Sequence, residues 1–218
     1  MTGKKITLIV VFICFGAVLL AQNKEASLIL EKSIQYHDPK GQWNAFHHQV
    51  EFLSQRPNGT DRKSIVTIDN NKGYFSLKEP ANDMEITLDQ CSIVPEGKTC
   101  AQVQRMRNYY IYLWGLPMKL KDDGTVLSKE VGEELFNGIE CFVIRVPYEQ
   151  DVWIFYIDKK SYALKGYLFY KDEPTKKGEV IYLDEEVVID KMRIPKRRKW
   201  YTTPDKTFLG TDILISTD

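Results

Sequence analysis

The sequence is poor in the residues and motifs that most catalytic and cofactor sites require. Only three histidines occur among 218 residues, and there is no CxxC pair, GxSxG motif or glycine-rich phosphate loop. Acidic and basic residues balance at 30 each, so no net charge attracts nucleic acid or an anionic surface. Internal repeats and low-complexity tracts are also missing. These absences argue against zinc-binding, serine-hydrolase, nucleotide-binding and nucleic-acid-binding proteins.

The few candidate catalytic side chains are poorly arranged for chemistry. His47 and His48 are adjacent in a predicted strand, so their side chains point to opposite faces and do not chelate one metal together. Cys141 lies in the strand-like segment "IECFVIRV", with no helix start that would activate its thiol. Carboxylates such as those of "GEEL" and "LDEEV" fall in turns or alternate along strands, as solvated or ion-paired groups do. We therefore predict no catalytic residue, no metal site, no cofactor and no enzyme activity.

The first 21 residues predict a signal peptide. Two lysines precede an apolar run from Ile6 to Leu20, and Ala21 follows before charge returns. The run is shorter than the roughly 20 residues that a membrane-spanning helix needs. We expect cleavage after Ala21, no transmembrane anchor in the mature chain, and a single domain over residues 22–218. An uncleaved membrane anchor is the alternative.

Two of the remaining cysteines flank a turn-rich loop. The segment "SIVPEGKT" separates Cys91 from Cys100, and an exported chain meets an oxidising compartment. We predict a disulfide between these two residues, with free thiols as the alternative. Cys141 is then a buried strand residue with a free thiol.

The hydrophobic pattern predicts two helices in a chain of strands. The first runs through "KEASLILEKSIQYH", from a cap at Asn23 to the turn that Asp38 begins. The second covers Ala101–Trp114, where apolar side chains recur every three or four residues, and Gly115 and Pro117 end it. The remaining segments form about nine or ten strands, of which "VWIFYID" is apolar on both faces and so covered on both. The class is α+β around a long antiparallel sheet.

A basic run, "KRRK" at residues 196–199, follows an acidic segment. A hairpin that turns at Lys191-Met192 places each acidic residue opposite a basic one. The expected pairs are Glu186 with Arg197, Glu185 with Arg198, and Asp184 with Lys199. We predict that the run is balanced within the protein, and binding of an anionic head group is the alternative.

The order of these elements resembles a known group of proteins. An N-terminal helix, a strand meander, an aromatic helix and a second meander follow the export signal, and the resemblance is carried by "YLWGLPMKL", "WIFYIDKKSYALKGYLFY" and "RIPKRRKWY". The chain is similar to the lipoprotein carriers of Gram-negative envelopes, the LolA/LolB-like group, and to secreted bacterial proteins of unknown function with that fold. The resemblance implies a strongly curved antiparallel sheet, an incomplete β-barrel, around the N-terminal helix and a mid-chain plug helix.

The aromatic block at residues 109–118 is the candidate site. Its helix either fills the concave side of the sheet as core, or also lines a cavity for an acyl chain. The candidate ligand-binding residues are Tyr110, Leu113, Trp114, Leu116 and Met118. Two functions follow from these interpretations. One is a non-enzymatic periplasmic or secreted protein that binds a lipid or lipoprotein, and the other is an envelope interaction or scaffold module with a filled core.

Overall fold

Two α-helices and one large sheet make up residues 25–217, the part of the chain that the computed structural model describes. Helix α1 spans residues 25–37 and helix α2 spans Cys100–Trp114. Short 3-10 helices occur at Trp43–Ala45 and Met118–Lys121. No helix in the described range is long and apolar enough to cross a membrane. The predicted signal peptide and the predicted cap of α1 lie outside the described residues.

Twelve antiparallel strands form one continuous sheet within the described part of the chain. They are β1 (His47–Gln55), β2 (Arg62–Asp69), β3 (Tyr74–Lys78), β4 (Met84–Thr87), β5 (Gln90–Ile93), β6 (Gly132–Phe136), β7 (Ile139–Pro147), β8 (Val152–Asp158), β9 (Leu164–Asp172), β10 (Lys177–Ile189), β11 (Met192–Thr203) and β12 (Phe208–Thr217). Their order is β5-β4-β3-β2-β1-β12-β11-β10-β9-β8-β7-β6. The sheet is therefore an open, curved half-barrel with β5 and β6 at its edges. The predicted α+β class and incomplete barrel are confirmed, although the sheet has more strands than expected.

The face of the sheet turned toward α2 carries the main hydrophobic core. Phe52 of β1, Val66 of β2 and Phe75 of β3 are buried on this face. In β1 and β2 the buried positions alternate with half-buried ones, as strand geometry dictates. Leu113 and Trp114 of α2 belong to the same cluster. Helix α2 is thus a plug on the concave side of the half-barrel, as the sequence predicts.

Strand β8 is buried on both faces, which confirms the interpretation of "VWIFYID". Phe155 and Ile157 belong to the main core. Tyr156, between them, stacks on Phe136 on the opposite face with ring centroids 3.9 Å apart. A side-chain carbon at Gly166 of the neighbouring strand would lie 2.5 Å from the Phe136 ring. Glycine at this position therefore leaves room for the Phe136 ring to pack on the outer face of the sheet.

Helix α1 is fixed to the sheet through His37, to which the sequence analysis assigned no role. The imidazole is fully buried. Its Nδ1–H donates to the Arg193 carbonyl at 2.6 Å, and its Nε2 accepts the Leu164 N–H at 2.9 Å. This arrangement requires the neutral ring, and burial lowers the pKa of His37. The last residue of α1 therefore ties the helix to β9 and β11 at once.

The predicted register of the β10–β11 hairpin is wrong. The turn consists of Asp190 and Lys191, whose φ angles are 47° and 68°, as a two-residue turn of type I′ requires. The prediction placed this turn one residue later, so each strand partner is displaced by two positions. Asp184 consequently lies opposite Arg197 and not opposite Lys199.

The charges of the "KRRK" run are balanced in part, and one of the three predicted charge pairs, Asp184 with Lys199, forms despite the different register. The observed contacts are Glu185 with Lys196 and Arg197, and Asp184 with Lys199. Glu186 lies opposite Pro195 in the sheet. Arg198 lies on the face turned toward α2 and is buried, so the predicted pairs Glu186–Arg197 and Glu185–Arg198 do not form.

Candidate functional site

Helix α2 is held at its first residue by a link to the edge of the sheet. Cys100 begins the helix and is joined to Cys91 of β5, with the two Cα atoms 5.8 Å apart. The Gln102 side chain accepts the Thr99 N–H at 2.8 Å, as in a capping box. The helix therefore starts one residue before the predicted Ala101, and its position along the half-barrel is fixed at this end.

The cysteine pairing leads to a simple expectation about thiols. Cys141 is a buried free cysteine, so a mature protein that lacks residues 1–21 should show one reactive thiol when it is unfolded without reductant. The same sample should show three after reduction, which serves as the control. Three reactive thiols before reduction would contradict the bridge between Cys91 and Cys100.

Packing, and not backbone conformation, requires glycine at position 115, where helix α2 ends. The φ of this residue is −87°, which any amino acid can adopt. A side-chain carbon at this position, however, would lie 2.4 Å from the Trp43 ring. Glycine therefore allows the end of α2 to approach Trp43 closely, and Pro117 prevents the helix from resuming.

Three of the five candidate ligand-binding residues line one pocket. Tyr110, Leu113 and Trp114 border a cavity of about 370 Å³ between α2 and the concave face of the sheet. Their spacing of three and four residues places them on one side of the helix. Leu116 and Met118 follow the end of the helix, where they are 3% and 9% exposed and belong to the core. They do not line this cavity.

Five aromatic residues form the apolar part of the pocket wall. Phe52 of β1 packs on Trp114 with ring centroids 4.1 Å apart, and it lies 6.4 Å from Tyr110. Trp200 of β11 stacks on Tyr109 at 6.3 Å. Burial raises the pKa of Tyr110 to about 12, so its hydroxyl stays neutral at physiological pH. These rings form an apolar side of the pocket, which suits an apolar chain.

Arg198 is a buried cation in the same pocket. Its side chain is 2% exposed, and the guanidinium carbon lies 3.3 Å from the centroid of the Trp114 ring. Its Nη1 donates to the Pro195 carbonyl at 2.9 Å, and its Nη2 approaches the Leu113 carbonyl at 3.5 Å. Burial lowers the pKa of Arg198 to about 10, so the group is still charged at neutral pH.

Arg198 is absent from the predicted site because the basic run was interpreted as a single charged unit. Side chains alternate along a strand, so Arg198 shares a face with Ile194 and Trp200. Both of these apolar residues are buried. Ile194 lies four residues before Arg198 and Trp200 lies two residues after it, and even spacings on a strand place residues on the same face. This pattern indicates that Arg198 points toward the core, whereas its basic neighbours point away from it.

More exposed charges border the pocket, and most are already paired. Arg56 contacts Asp212 at 3.0 Å, and Arg62 contacts Glu79 at 2.9 Å. Lys98, also at this border, donates to a side-chain amide. Each arginine at the border therefore has a carboxylate partner of its own.

A second groove continues from the pocket along the first half of α2. It has a volume of about 430 Å³ and shares Lys98, Met106 and Tyr109 with the pocket. Its other lining residues are Met84, Gln102 and Arg105. The two hollows together offer an extended path that reaches from Arg198 to the side of the helix near the disulfide.

A larger hollow of about 700 Å³ lies elsewhere, beside β10 and β11. Its walls are rich in charged side chains, and some of these pair with one another or with tyrosine. Asp184 contacts Lys199 at 3.2 Å, and Glu186 accepts the Tyr36 hydroxyl at 3.0 Å. The lining of this hollow is more polar than that of the pocket beside α2, so its greater volume does not make it the better candidate for an apolar ligand.

The histidines of the predicted β1 strand do not form a metal site. His47 lies 3.9 Å from Asp69, and His48 lies 2.6 Å from Asp190, so the two rings contact carboxylates on different elements. Within residues 25–217, no group of three histidine, cysteine or acidic side chains is placed to hold a metal ion.

Solved structures share this architecture at low sequence identity. A LolA superfamily protein from Nitrosomonas europaea has a TM-score of 0.56 at 10% identity, and a DUF1329 family protein from Desulfovibrio piger has 0.55 at 10%. A domain provisionally described as an outer membrane lipoprotein-sorting protein, from Vibrio parahaemolyticus, has 0.51 at 12%. Each likeness covers 88% of this chain and 92% of the other. At these identities the likeness shows the fold, which is that of the LolA-like half-barrels.

Comparison with sequence families gives a direct assignment. No curated protein sequence matches the chain. A family model, described as a family of unknown function (DUF6503), matches residues 4–95 and 96–217. These two segments cover nearly the whole chain, and the protein therefore belongs to the DUF6503 family.

Proposed function

We propose that the protein is a non-enzymatic component of the bacterial cell envelope that binds an acyl chain, from a lipid or a lipoprotein, between α2 and the concave face of its half-barrel. The observation that carries this proposal is the cavity of about 370 Å³ whose walls include Phe52, Tyr110, Leu113 and Trp114. The volume is in the range of small-ligand sites, and these side chains give the pocket an apolar side against which an acyl chain can pack.

The energetics of burial support an acyl chain as the occupant. Each methylene removed from water contributes about 0.8 kcal/mol, so eight methylenes supply roughly 6 kcal/mol before the entropic costs of binding. The groove that continues past Met106 and Tyr109 provides room for further methylenes. An acyl chain can therefore reach useful affinity here without a catalytic group.

Other features of the chain favour a location in the cell envelope. The apolar segment that ends at Ala21 has the pattern of an export signal, and a disulfide such as that between Cys91 and Cys100 persists in oxidising compartments. One of the similar structures carries a name that refers to lipoprotein sorting at the outer membrane, and another is a LolA superfamily protein. These features support a protein that acts on lipids or lipoproteins outside the cytoplasm.

Native mass spectrometry tests the proposal on the folded, mature protein. We expect a fraction of the protein purified from a bacterial envelope to carry an extra mass that corresponds to an acyl lipid and is lost on denaturation. A protein that is always ligand-free, before and after incubation with lipid vesicles, would support the filled scaffold module instead.

A further inference from the structure

The charge of Arg198 is not neutralised by the residues around it. Within residues 25–217, no carboxylate forms an ion pair with this guanidinium, although Asp212 interacts with it at longer range. Asp212 is already engaged by Arg56 at 3.0 Å and by the Ser54 hydroxyl at 2.7 Å. A buried charge without an ionic partner is unusual in a folded protein.

Two polar atoms of the pocket wall also have no partner in the described residues. The Nε of Arg198 and the indole nitrogen of Trp200 are buried without a hydrogen bond, and both side chains line the pocket. The neighbouring Tyr167 hydroxyl interacts with the guanidinium, but burial raises the pKa of Tyr167, so this neutral group does not balance the charge. Buried donors are almost always satisfied, so the two donors beside this cation indicate a missing acceptor.

The guanidinium is also held in place before any ligand arrives. Its Nη1 is fixed by the Pro195 carbonyl, and its plane lies over Trp114. Such preorganisation lowers the cost of binding, and arginine matches the oxygens of carboxylates and phosphates. The exposed arginines at the border differ, because Arg56 and Arg62 already have carboxylate partners.

We propose that the natural ligand is an anionic amphiphile, whose carboxylate or phosphate group binds Arg198 inside the pocket while its apolar chain lies along Tyr110 and Trp114 and continues toward Met106. This inference rests on the proposed function and adds the chemical class of the ligand. It also gives the orientation, with the acidic group innermost and the chain directed toward the groove beside α2.

Competition among three ligands with the same chain tests this assignment. The neutral dye N-phenyl-1-naphthylamine reports occupancy of the pocket, and dodecanoate, monododecyl phosphate and 1-dodecanol displace it at pH 7.5, below their aggregation concentrations. We expect at least one of the two anions to bind at least tenfold more tightly than the alcohol. Which of them binds better distinguishes a carboxylate from a phosphate ligand. Equal affinities for all three would overturn the inference.

Matched arginine variants locate the group that gives the preference. Arg198→Met keeps the length of the side chain and removes the charge, so the preference for anions should fall to less than about threefold while 1-dodecanol still binds. Arg197→Met, at the neighbouring position on the opposite face of β11, should keep the preference, because Arg197 contacts Glu185 and does not line the pocket. A preference that survives Arg198→Met, or that disappears in Arg197→Met, would contradict the orientation.

The same assay separates failure of this inference from failure of the proposed function. If the dye and 1-dodecanol bind but the anions have no advantage, the pocket takes an apolar ligand and only the assignment of an acidic group is wrong. If neither the dye nor any of the three amphiphiles binds the wild-type protein, the proposed function itself fails.

Discussion

Trp114→Ala is expected to weaken binding of N-phenyl-1-naphthylamine at least tenfold while the protein remains folded. The indole forms one wall of the pocket, packs on Phe52 at 4.1 Å and lies under the Arg198 guanidinium. Its removal takes away a large aromatic surface that a ligand can contact. A fluorescence titration gives the affinity, and thermal unfolding followed by circular dichroism shows that the variant is folded.

Tyr112→Ala is the matched control for this variant. Tyr112 lies on the same helix but packs on Trp153, with ring centroids 5.2 Å apart, and its hydroxyl contacts that of Tyr148 at 3.0 Å. It does not line the pocket between α2 and β1. Its truncation should cost stability and leave the affinity of the folded protein within about twofold. Equal losses of affinity in both variants would mean that the helix position, and not the Trp114 wall, controls binding.

His37→Ala is expected to destabilise the protein by about 3–5 kcal/mol, the largest loss of stability that we predict. The substitution leaves the Leu164 N–H and the Arg193 carbonyl unsatisfied in a buried position, at about 1–3 kcal/mol for each group, and it also opens a cavity. His47→Ala is the control, because the His47 side chain is 63% exposed and 3.9 Å from its acidic neighbour. Urea unfolding should show that His47→Ala lowers the free energy of unfolding by less than about 0.5 kcal/mol.

His37 also makes the stability of the protein depend on pH. Burial lowers the pKa of His37 from its ordinary value of 6.5, so the unfolded chain binds the proton more readily than the folded protein. The contribution of neutral His37 to the free energy of unfolding is therefore complete above pH 6.5. As the pH falls below 6.5, this contribution decreases by up to about 1.4 kcal/mol per pH unit. His47→Ala should keep this slope between pH 6.5 and 5, and His37→Ala should lose it. An unchanged slope in His37→Ala would show that other groups cause it.

The parts of the fold that depend on local patterns could be predicted from the sequence. The spacing of Tyr110, Leu113 and Trp114 identified α2 and the side of it that faces the sheet, because helical periodicity is a local property. The short, continuous apolar run in "VWIFYID" likewise identified a strand that is covered on both faces. Both features depend on residues that are neighbours in the chain.

The parts that depend on pairing between distant segments could not be predicted in the same way. A shift of one residue in the turn at Asp190 changed every partner in the β10–β11 hairpin. The site required Arg198 of β11 to meet Trp114 of α2, and no local pattern relates these two residues. Leu116 and Met118 were assigned to the site because they continue the aromatic block, but the end of α2 turns them into the core.

The pocket between α2 and the half-barrel is expected to accept an apolar ligand. This is tested by a fluorescence titration of the folded, mature wild-type protein, stripped of lipid, with N-phenyl-1-naphthylamine. We expect saturable binding with one site per chain, which 1-dodecanol displaces competitively. A signal that rises linearly with dye and does not respond to 1-dodecanol would show instead that the aromatic block is hydrophobic core alone.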